Sequence, residues 1–284
     1  MWKRAGRRRN DRGRPRDHAD GGLDLRVAIT RKVSPAIGCC ELTYLGREPI
    51  DVGLAERQHL AYERCLTDLG CSVTSLPAEP GLPDSVFIED AAIVLDELAV
   101  VTRPGAASRR AETASVARTL ARWRPLAWLE PPGTLDGGDV LALGRRVYVG
   151  RSLRSDEAGC GQLRDLLAPR GYAVVQVPVS GCLHLKSAVT ALPGDRLLVN
   201  PSWVDAALFE DRGVIEVDPA EPHAANALRV GGELLFPAAF GRTRLRLEQA
   251  GIGVVTVDVS ELAKAEGAVT CCSLVFEASG KEAD

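Results

Sequence analysis

The sequence contains no run approaching the ~20 apolar residues that a membrane-spanning helix needs, and its first residues hold no apolar segment of the secretory kind. It has no GxGxxG and no Walker loop, so nothing in it cradles a nucleotide phosphate, and a nucleotide cofactor is disfavoured. HExxH and CxxC are missing as well, and the four histidines show no Cys/His zinc spacing, which argues against a structural zinc site. Eight cysteines are present (Cys39, Cys40, Cys65, Cys71, Cys160, Cys182, Cys271 and Cys272) without a paired framework. In a chain with no export signal they read as reduced, cytoplasmic thiols.

What is present is a chain of 284 residues, 45% hydrophobic, long enough for one large core or two ordinary ones. The net charge of -3 excludes a broadly basic nucleic-acid binder. The charge is uneven. Eight basic residues (Lys3, Arg4, Arg7, Arg8, Arg9, Arg12, Arg14 and Arg16) face Asp11, Asp17 and Asp20 in the first twenty, leaving an acidic body. Residues 1–22 lack apolar periodicity and are expected to be a disordered, functionally neutral basic tail, with residues 23–284 a single catalytic domain. The three Asp argue against a transit peptide. An acidic body suits a small cationic substrate, though its pull is weak in physiological salt.

A helix-like segment ending at glycine or proline and followed by a β-branched run recurs along the body. The runs begin at Gly70, Pro125, Gly171, Gly213 and Gly251, at spacings of about 55, 46, 42 and 38 residues, in the range of repeated supersecondary units. Glycine just past a helix supplies its left-handed cap. Ahead of the helices lie short strand pairs, as in Ala91–Leu95 with Ala99–Thr102, Val140–Leu143 with Val147–Gly150, and Leu228–Val230 with Leu234–Phe236. Leu54, Ala61, Leu66 and Leu69, and Val116, Leu120 and Trp123, recur at near-helical spacing. The unit is strand–strand–helix–strand, repeated about five times. Such units close around an axis so that each buries its neighbour's apolar face, and loops at one end then share a centre.

Near the C-terminus, Gly267-Ala268-Val269-Thr270-Cys271-Cys272-Ser273-Leu274 sets two thiols between a glycine and an apolar strand. A thiolate is the strongest nucleophile among ordinary side chains, and one near carboxylates points to covalent attack on a small cation. Five further segments carry polar groups at repeat ends. Pro83-Asp84-Ser85-Val86-Phe87-Ile88-Glu89-Asp90 holds three carboxylates, and Arg103–Arg110 follows one hairpin later. Pro132-Gly133-Thr134-Leu135-Asp136-Gly137-Gly138-Asp139 sets two Asp in a glycine turn. Tyr148–Arg154 leads into a helix, and Leu183-His184-Leu185-Lys186 sets one His among apolar residues. Taken singly, an Asp in a glycine turn is usually an Asx turn or helix cap, a His between leucines a core residue, and Arg109 and Arg110 a solvated helix start. Their joint occurrence at equivalent strand ends is what raises them.

In this order the motifs resemble the dimethylarginine dimethylaminohydrolase family, in the guanidino-group-modifying superfamily, over about Leu25 to Phe276. The resemblance implies an α/β fold, the five-bladed α/β-propeller with pseudo-fivefold symmetry, and hydrolysis of Nω-methylated arginine to citrulline plus methylamine or dimethylamine. It implies that Cys271 is the nucleophile forming a thiouronium, with Cys272 its non-catalytic neighbour, and that His184 is first acid, then base. Asp90 and Asp136 would hold the guanidinium, Glu89 would line the site, Asp84 would receive the α-ammonium, Arg109 and Arg154 the α-carboxylate, and Leu42 would belong to a lid loop. It implies no cofactor, no metal, no nucleic acid and no membrane partner, and a monomer or homodimer. Asp136 stands where the family carries Glu or Asp, which leaves the preferred methylation state open, and Cys272 beside Cys271 could form a vicinal disulfide or trap zinc. Arginine deiminase or amidinotransferase chemistry on free arginine is the alternative within the superfamily. A catalytically silent homologue acting through protein or zinc binding, and an RNA-binding protein using the tail, are alternatives of other classes.

Overall fold

The computed structural model describes residues 25–209 and 211–278, and the expectation for residues 1–22 lies outside the described residues. Among the described residues fifteen strands form five three-stranded sheets. The second to fifth sheets follow the chain: β3 (Ala92–Val94), β4 (Ala99–Val101) and β5 (Leu126–Trp128); β6 (Val140–Leu143), β7 (Arg146–Arg151) and β8 (Ala173–Pro178); β9 (Val189–Leu192), β10 (Arg196–Val199) and β11 (Gly213–Glu216); β12 (Leu228–Val230), β13 (Glu233–Pro237) and β14 (Val254–Val257). The first sheet joins the two ends of the chain. In it β15 (Leu274–Ala278) pairs antiparallel with β1 (Leu25–Arg31), from Leu25 opposite Ala278 to Ile29 opposite Leu274, and β1 pairs parallel with β2 (Ser72–Leu76). In every sheet the middle strand is antiparallel to its hairpin partner and parallel to the strand that returns after a crossover.

Four crossovers are helical: α1 (Val52–Asp68), α2 (Thr113–Leu120), α3 (Glu157–Leu167) and α5 (Gly241–Gln249), while α4 (Leu185–Ala188) and α6 (Ser260–Ala263) are short helices elsewhere. The fourth crossover carries only the 3-10 turn Ala206–Phe209 among the described residues, so the repeat loses its helix there. Asp51 and Asp156 start α1 and α3 by accepting from the backbone N–H of Leu54 (2.9 Å) and Gly159 (2.7 Å), which satisfies amides that no helical carbonyl reaches. Gly70, Gly171 and Gly251 adopt the left-handed conformation beyond α1, α3 and α5, as expected of helix-ending glycines. The buried face of α1 differs from the expected one. It is Ala55, Gln58, His59, Tyr62 and Leu66, with Ala61 exposed, because Gln58 and Tyr62 find partners inside. Gln58 donates to Asp258 and Ser260, and Tyr62 donates to the Val269 carbonyl.

Both faces of each sheet are buried, because successive side chains of a strand point to opposite neighbours. Ala28 packs toward the fifth sheet with Val230, Leu235 and Val257, whereas Val27 and Ile29 pack toward the second with Val116 and Leu120. Five apolar clusters result, one at each contact between adjacent sheets. The first strands of all five sheets (β3, β6, β9, β12 and β15) surround a channel of about 240 Å³. This is the five-repeat α/β propeller expected from the sequence.

Phe236 is fully buried in the cluster between the fourth and fifth sheets, with Leu198 and Leu247. Phe236→Ala is expected to cost about 3–5 kcal/mol, read as a lower urea midpoint at unchanged slope. Leu245→Ala, at a position 56% exposed, should stay within about 0.5 kcal/mol of the parent.

Candidate active site

In each repeat a polar segment sits immediately before the channel-lining strand, while Arg109 and Arg154 follow the middle strands β4 and β7. The 3-10 turn Ile88–Ala91 leads into β3, Gly137–Asp139 into β6, His184 and α4 into β9, Asn226 into β12, and Cys271 into β15. Ring closure therefore gathers residues 84 to 271 at one end of the axis. Asp84, Asp90, Arg109, Arg154, His184 and Cys271 line a common cavity there, together with Glu41, Leu183 and Glu266.

His184 is held from two sides. Its Nε2 lies 3.0 Å from Asp136 Oδ2, and its Nδ1 lies 3.8 Å from Asp90 Oδ1. Burial opposes the imidazolium, yet Asp90, Asp136 and Asp139 outweigh it and push the His184 pKa up to about 9. Gly138 fits against this ring because a Cβ there would sit 2.6 Å from His184 Nδ1. The same glycine's N–H donates to Asp90 Oδ1 at 2.9 Å. Burial works against the charged form of Asp90, but His184, Arg109 and the Gly138 amide overcome it and hold its pKa at about 2.

Three expected site residues turn out to be spent on the protein itself. The buried Arg109 guanidinium donates to Asp90 Oδ2 (2.6 Å), to Glu112 (2.9 Å) and to the carbonyls of Phe87 (3.0 Å) and Asp84 (3.3 Å), so it organises carboxylates rather than standing open to one from outside. Asp136 is fully buried, with Oδ1 accepting from the Gly105 amide at 2.9 Å and Oδ2 facing His184. Glu89 stands behind the thiol, on the channel rather than on the cavity wall, because Lys186 Nζ (2.5 Å) and Thr270 Oγ1 (2.7 Å) both bond its carboxylate. Asp84 lies on the cavity and accepts from the Glu41 amide, while burial raises its pKa. Arg154 reaches Thr43 Oγ1 at 3.1 Å. Leu42 packs on the core between the first and fifth sheets and is not part of the cavity lining.

Several functional positions escaped the sequence reading. Asp139 accepts from Ser152, Ser155 and, at 2.9 Å, from the amide of Leu185, so it anchors the start of α4 and with it His184; burial raises its pKa to about 6. Its signal was the second Asp of the glycine turn, read as a cap without a target. Asn226 bridges the blades, accepting from the Thr270 amide and donating to Thr270 Oγ1 and the Lys186 carbonyl. Glu89 N–H donates to the Cys271 carbonyl at 3.1 Å, which fixes the Cys271 backbone against the second sheet.

Burial, reinforced by the charges of Glu89 and Asp90, pushes the Cys271 thiol up to about 12. Cys271 and Cys272 are both free, so no vicinal disulfide joins them. Asp90, Asp136 and His184 bring ligand-type atoms within 4.8 Å of one another, but these atoms already pair among themselves. At neutral pH the empty site holds a thiol, an imidazolium and ionised Asp90. Such a site binds a planar cation and carries out nucleophilic displacement with proton transfer to a leaving group.

No protein-family profile matches the chain. It is 43% identical to an N(G),N(G)-dimethylarginine dimethylaminohydrolase of Streptomyces coelicolor, over 89% of this chain and 97% of that one. It is 36% identical to the protein of the same name from Pseudomonas aeruginosa, over 82% and 92% of the two chains. The solved structure of a cysteine-to-serine mutant of the Pseudomonas aeruginosa enzyme complexed with citrulline superposes with a TM-score of 0.85 at 34% identity, covering 89% of this chain and 99% of that one. The chain belongs to the dimethylarginine dimethylaminohydrolase family.

Proposed function

We propose that this protein, acting through the single propeller of residues 23–284, hydrolyses Nω-methylated arginines to citrulline and methylamine or dimethylamine. One observation carries the reading: a thiol, an imidazolium and buried carboxylates converge on one cavity in a chain so similar to relatives of that name. The Cys271 thiol gives up its proton to solvent as the cationic substrate binds, and the resulting thiolate Sγ attacks the guanidinium carbon. The tetrahedral adduct collapses with cleavage of the C–N bond to the methylated nitrogen, and His184 donates its proton to the departing amine. The thiouronium left on Cys271 is attacked by water, whose proton returns to His184, and C–S cleavage frees citrulline.

Asp90 holds the guanidinium over sulfur, with Arg109 fixing its second oxygen, and Asp136 orients His184 while bounding the space around the reacting carbon. Asp84 takes the α-ammonium. Arg154, whose side chain makes one hydrogen bond among the described residues, is the cation for the α-carboxylate. The guanidinium supplies the positive charge that the thiol lacks, so substrate binding itself promotes the thiolate.

A panel of asymmetric dimethylarginine, monomethylarginine and free arginine, read by citrulline formation, is expected to favour the methylated substrates. Equal or faster turnover of free arginine would assign the site to deiminase chemistry. Cys271→Ser should lose on the order of 10^4-fold or more in kcat, whereas Cys272→Ser should not.

Asp90→Asn keeps the shape and removes the charge. It is expected to lower kcat/KM by at least ~100-fold through lost placement of the reactive carbon. Near-parental kcat/KM in that variant would remove Asp90 from the mechanism.

The pH dependence has a definite sign. His184 releases its proton near 6.5 when unfolded and near 9 when folded, so the paired imidazolium stabilises the fold fully below about 6.5 and that contribution is lost through about 9. Activity that requires the imidazolium should fall above about pH 9. An alkaline limb in kcat/KM near 6.5 would show that His184 acts from the neutral form instead.

A further inference from the structure

Glu266 has φ of +57°, the left-handed region that a residue with a Cβ enters only at a cost, and a glycine follows it directly. The left-handed turn closes α6 as a Schellman cap, with Glu266 N–H donating to the Ala263 carbonyl and Gly267 N–H to the Leu262 carbonyl, a place usually taken by glycine; here it aims a carboxylate at the neighbouring strap. The carboxylate accepts from three successive backbone amides, those of Thr43 (3.0 Å), Tyr44 and Leu45 (2.6 Å). Consecutive N–H groups converging on one anion form a nest, a geometry that binds a carboxylate far better than isolated amides do. These three amides belong to residues 41–45, an exposed strap with no helix or strand of its own.

The strap's other ties reach the cavity walls. Asp84 accepts from the Glu41 amide, Ser108 donates to the Glu41 carboxylate, and Arg154 donates to Thr43 Oγ1. Glu266 itself lines the cavity, five residues before Cys271. With the strap in place the cavity keeps about 20 Å³, room for about one water. A substrate of arginine size therefore enters only when the strap lifts. Asp84 and Arg154, which the proposed reaction assigns to the substrate's two charged ends, are occupied by the strap until then. Glu266 has no substrate group assigned to it.

We propose that Glu266 is a positioning residue for the reaction: it latches the 41–45 strap over the Cys271 cavity and re-forms that latch around bound substrate. Binding is then closure as well as contact. Losing the latch lets the empty site stay open and makes the complex supply the closure. The kinetic part of this inference rests on the proposed reaction, whereas the exchange and alkylation measurements below do not.

Glu266→Gly is the clean variant, because glycine relieves the left-handed backbone while deleting the carboxylate, and Glu266→Gln is its isosteric companion. The expected result has four parts: unchanged or raised melting temperature, faster hydrogen exchange in peptides covering 41–46 but not 25–31, faster alkylation of Cys271 by a bulky neutral maleimide in the substrate-free enzyme, and KM for monomethylarginine raised about tenfold with kcat within about threefold. Glu266→Gln should fall between Glu266→Gly and the parent. Unchanged strap exchange would overturn the latch, and so would lost kcat at constant KM, which would make Glu266 part of the chemistry. Faster exchange and alkylation in a chain that turns over no methylarginine would keep the latch and overturn the reaction instead.

Discussion

The site depends on an uncompensated negative charge buried at one end of the ring. Asp90, Asp136 and Asp139 surround His184, and Glu89 stands behind Cys271, while Arg109 and Lys186 neutralise only part of that charge. Burying like charges together drives protons onto whatever accepts them. The imidazole takes one and becomes a cation; the thiol keeps its own. The resting enzyme thus differs at sulfur alone from the thiolate–imidazolium pair found where a cysteine nucleophile is active at rest. What the arrangement lacks is one more positive charge, flat and directional, next to sulfur. In the proposed reaction the substrate's guanidinium is that charge, so selectivity for a cation and activation of the nucleophile are one interaction.

The propeller is what makes such a concentration of charge tolerable. Each carboxylate is received by a backbone amide from a neighbouring repeat, Asp90 by Gly138, Asp136 by Gly105 and Asp139 by Leu185, and Ser152 and Ser155 of its own repeat also donate to Asp139. A charge-assisted bond to a fixed amide compensates the lost hydration of a buried oxygen. Gly138 and Leu185 sit just ahead of channel strands and Gly105 just beyond β4, and because the sheets are clamped on both faces by apolar clusters the acceptors cannot drift apart. Pairing of β15 with β1 carries particular weight, since it delivers Cys271 to a ring otherwise built from residues 25–257.

The repeat, the hairpins and the segments that meet were all legible in the sequence, because turn chemistry and two-residue alternation are local. Which carboxylate faces which partner was not. Asp136 and Asp139 are three residues apart in one glycine turn, yet one aims at a ring nitrogen and the other at the start of α4, a distinction set by the 3-10 geometry of Gly137–Asp139. Arg109 read as a group awaiting an outside anion, but its four acceptors come from Asp84, Phe87, Asp90 and Glu112, whose convergence appears only after folding. The α1 face was misplaced for a related reason: Gln58 and Tyr62 look solvent-facing until Asp258, Ser260 and Val269 are brought against them. The missing fourth helix follows a short crossover between β10 and β11, where the sequence showed only the next glycine.

Closure and charge are two aspects of the same constraint. A cavity open to water would solvate the carboxylates, weaken their hold on His184 and let the Cys271 thiol relax toward its ordinary range. With the strap down, the field of the acidic groups stays strong and the thiol stays protonated, which protects it while no substrate is present. In the proposed reaction, arrival of a cationic amino acid changes both at once: its charged ends take over Asp84 and Arg154 from the strap, and its guanidinium meets Asp90. If the strap closes again over that complex, the guanidinium acts on sulfur in the same low-dielectric space that had suppressed the thiolate, and its effect there is larger than water would allow. A site built this way gains its reactivity from the order of events, cation first and closure second, rather than from a nucleophile held ready in advance.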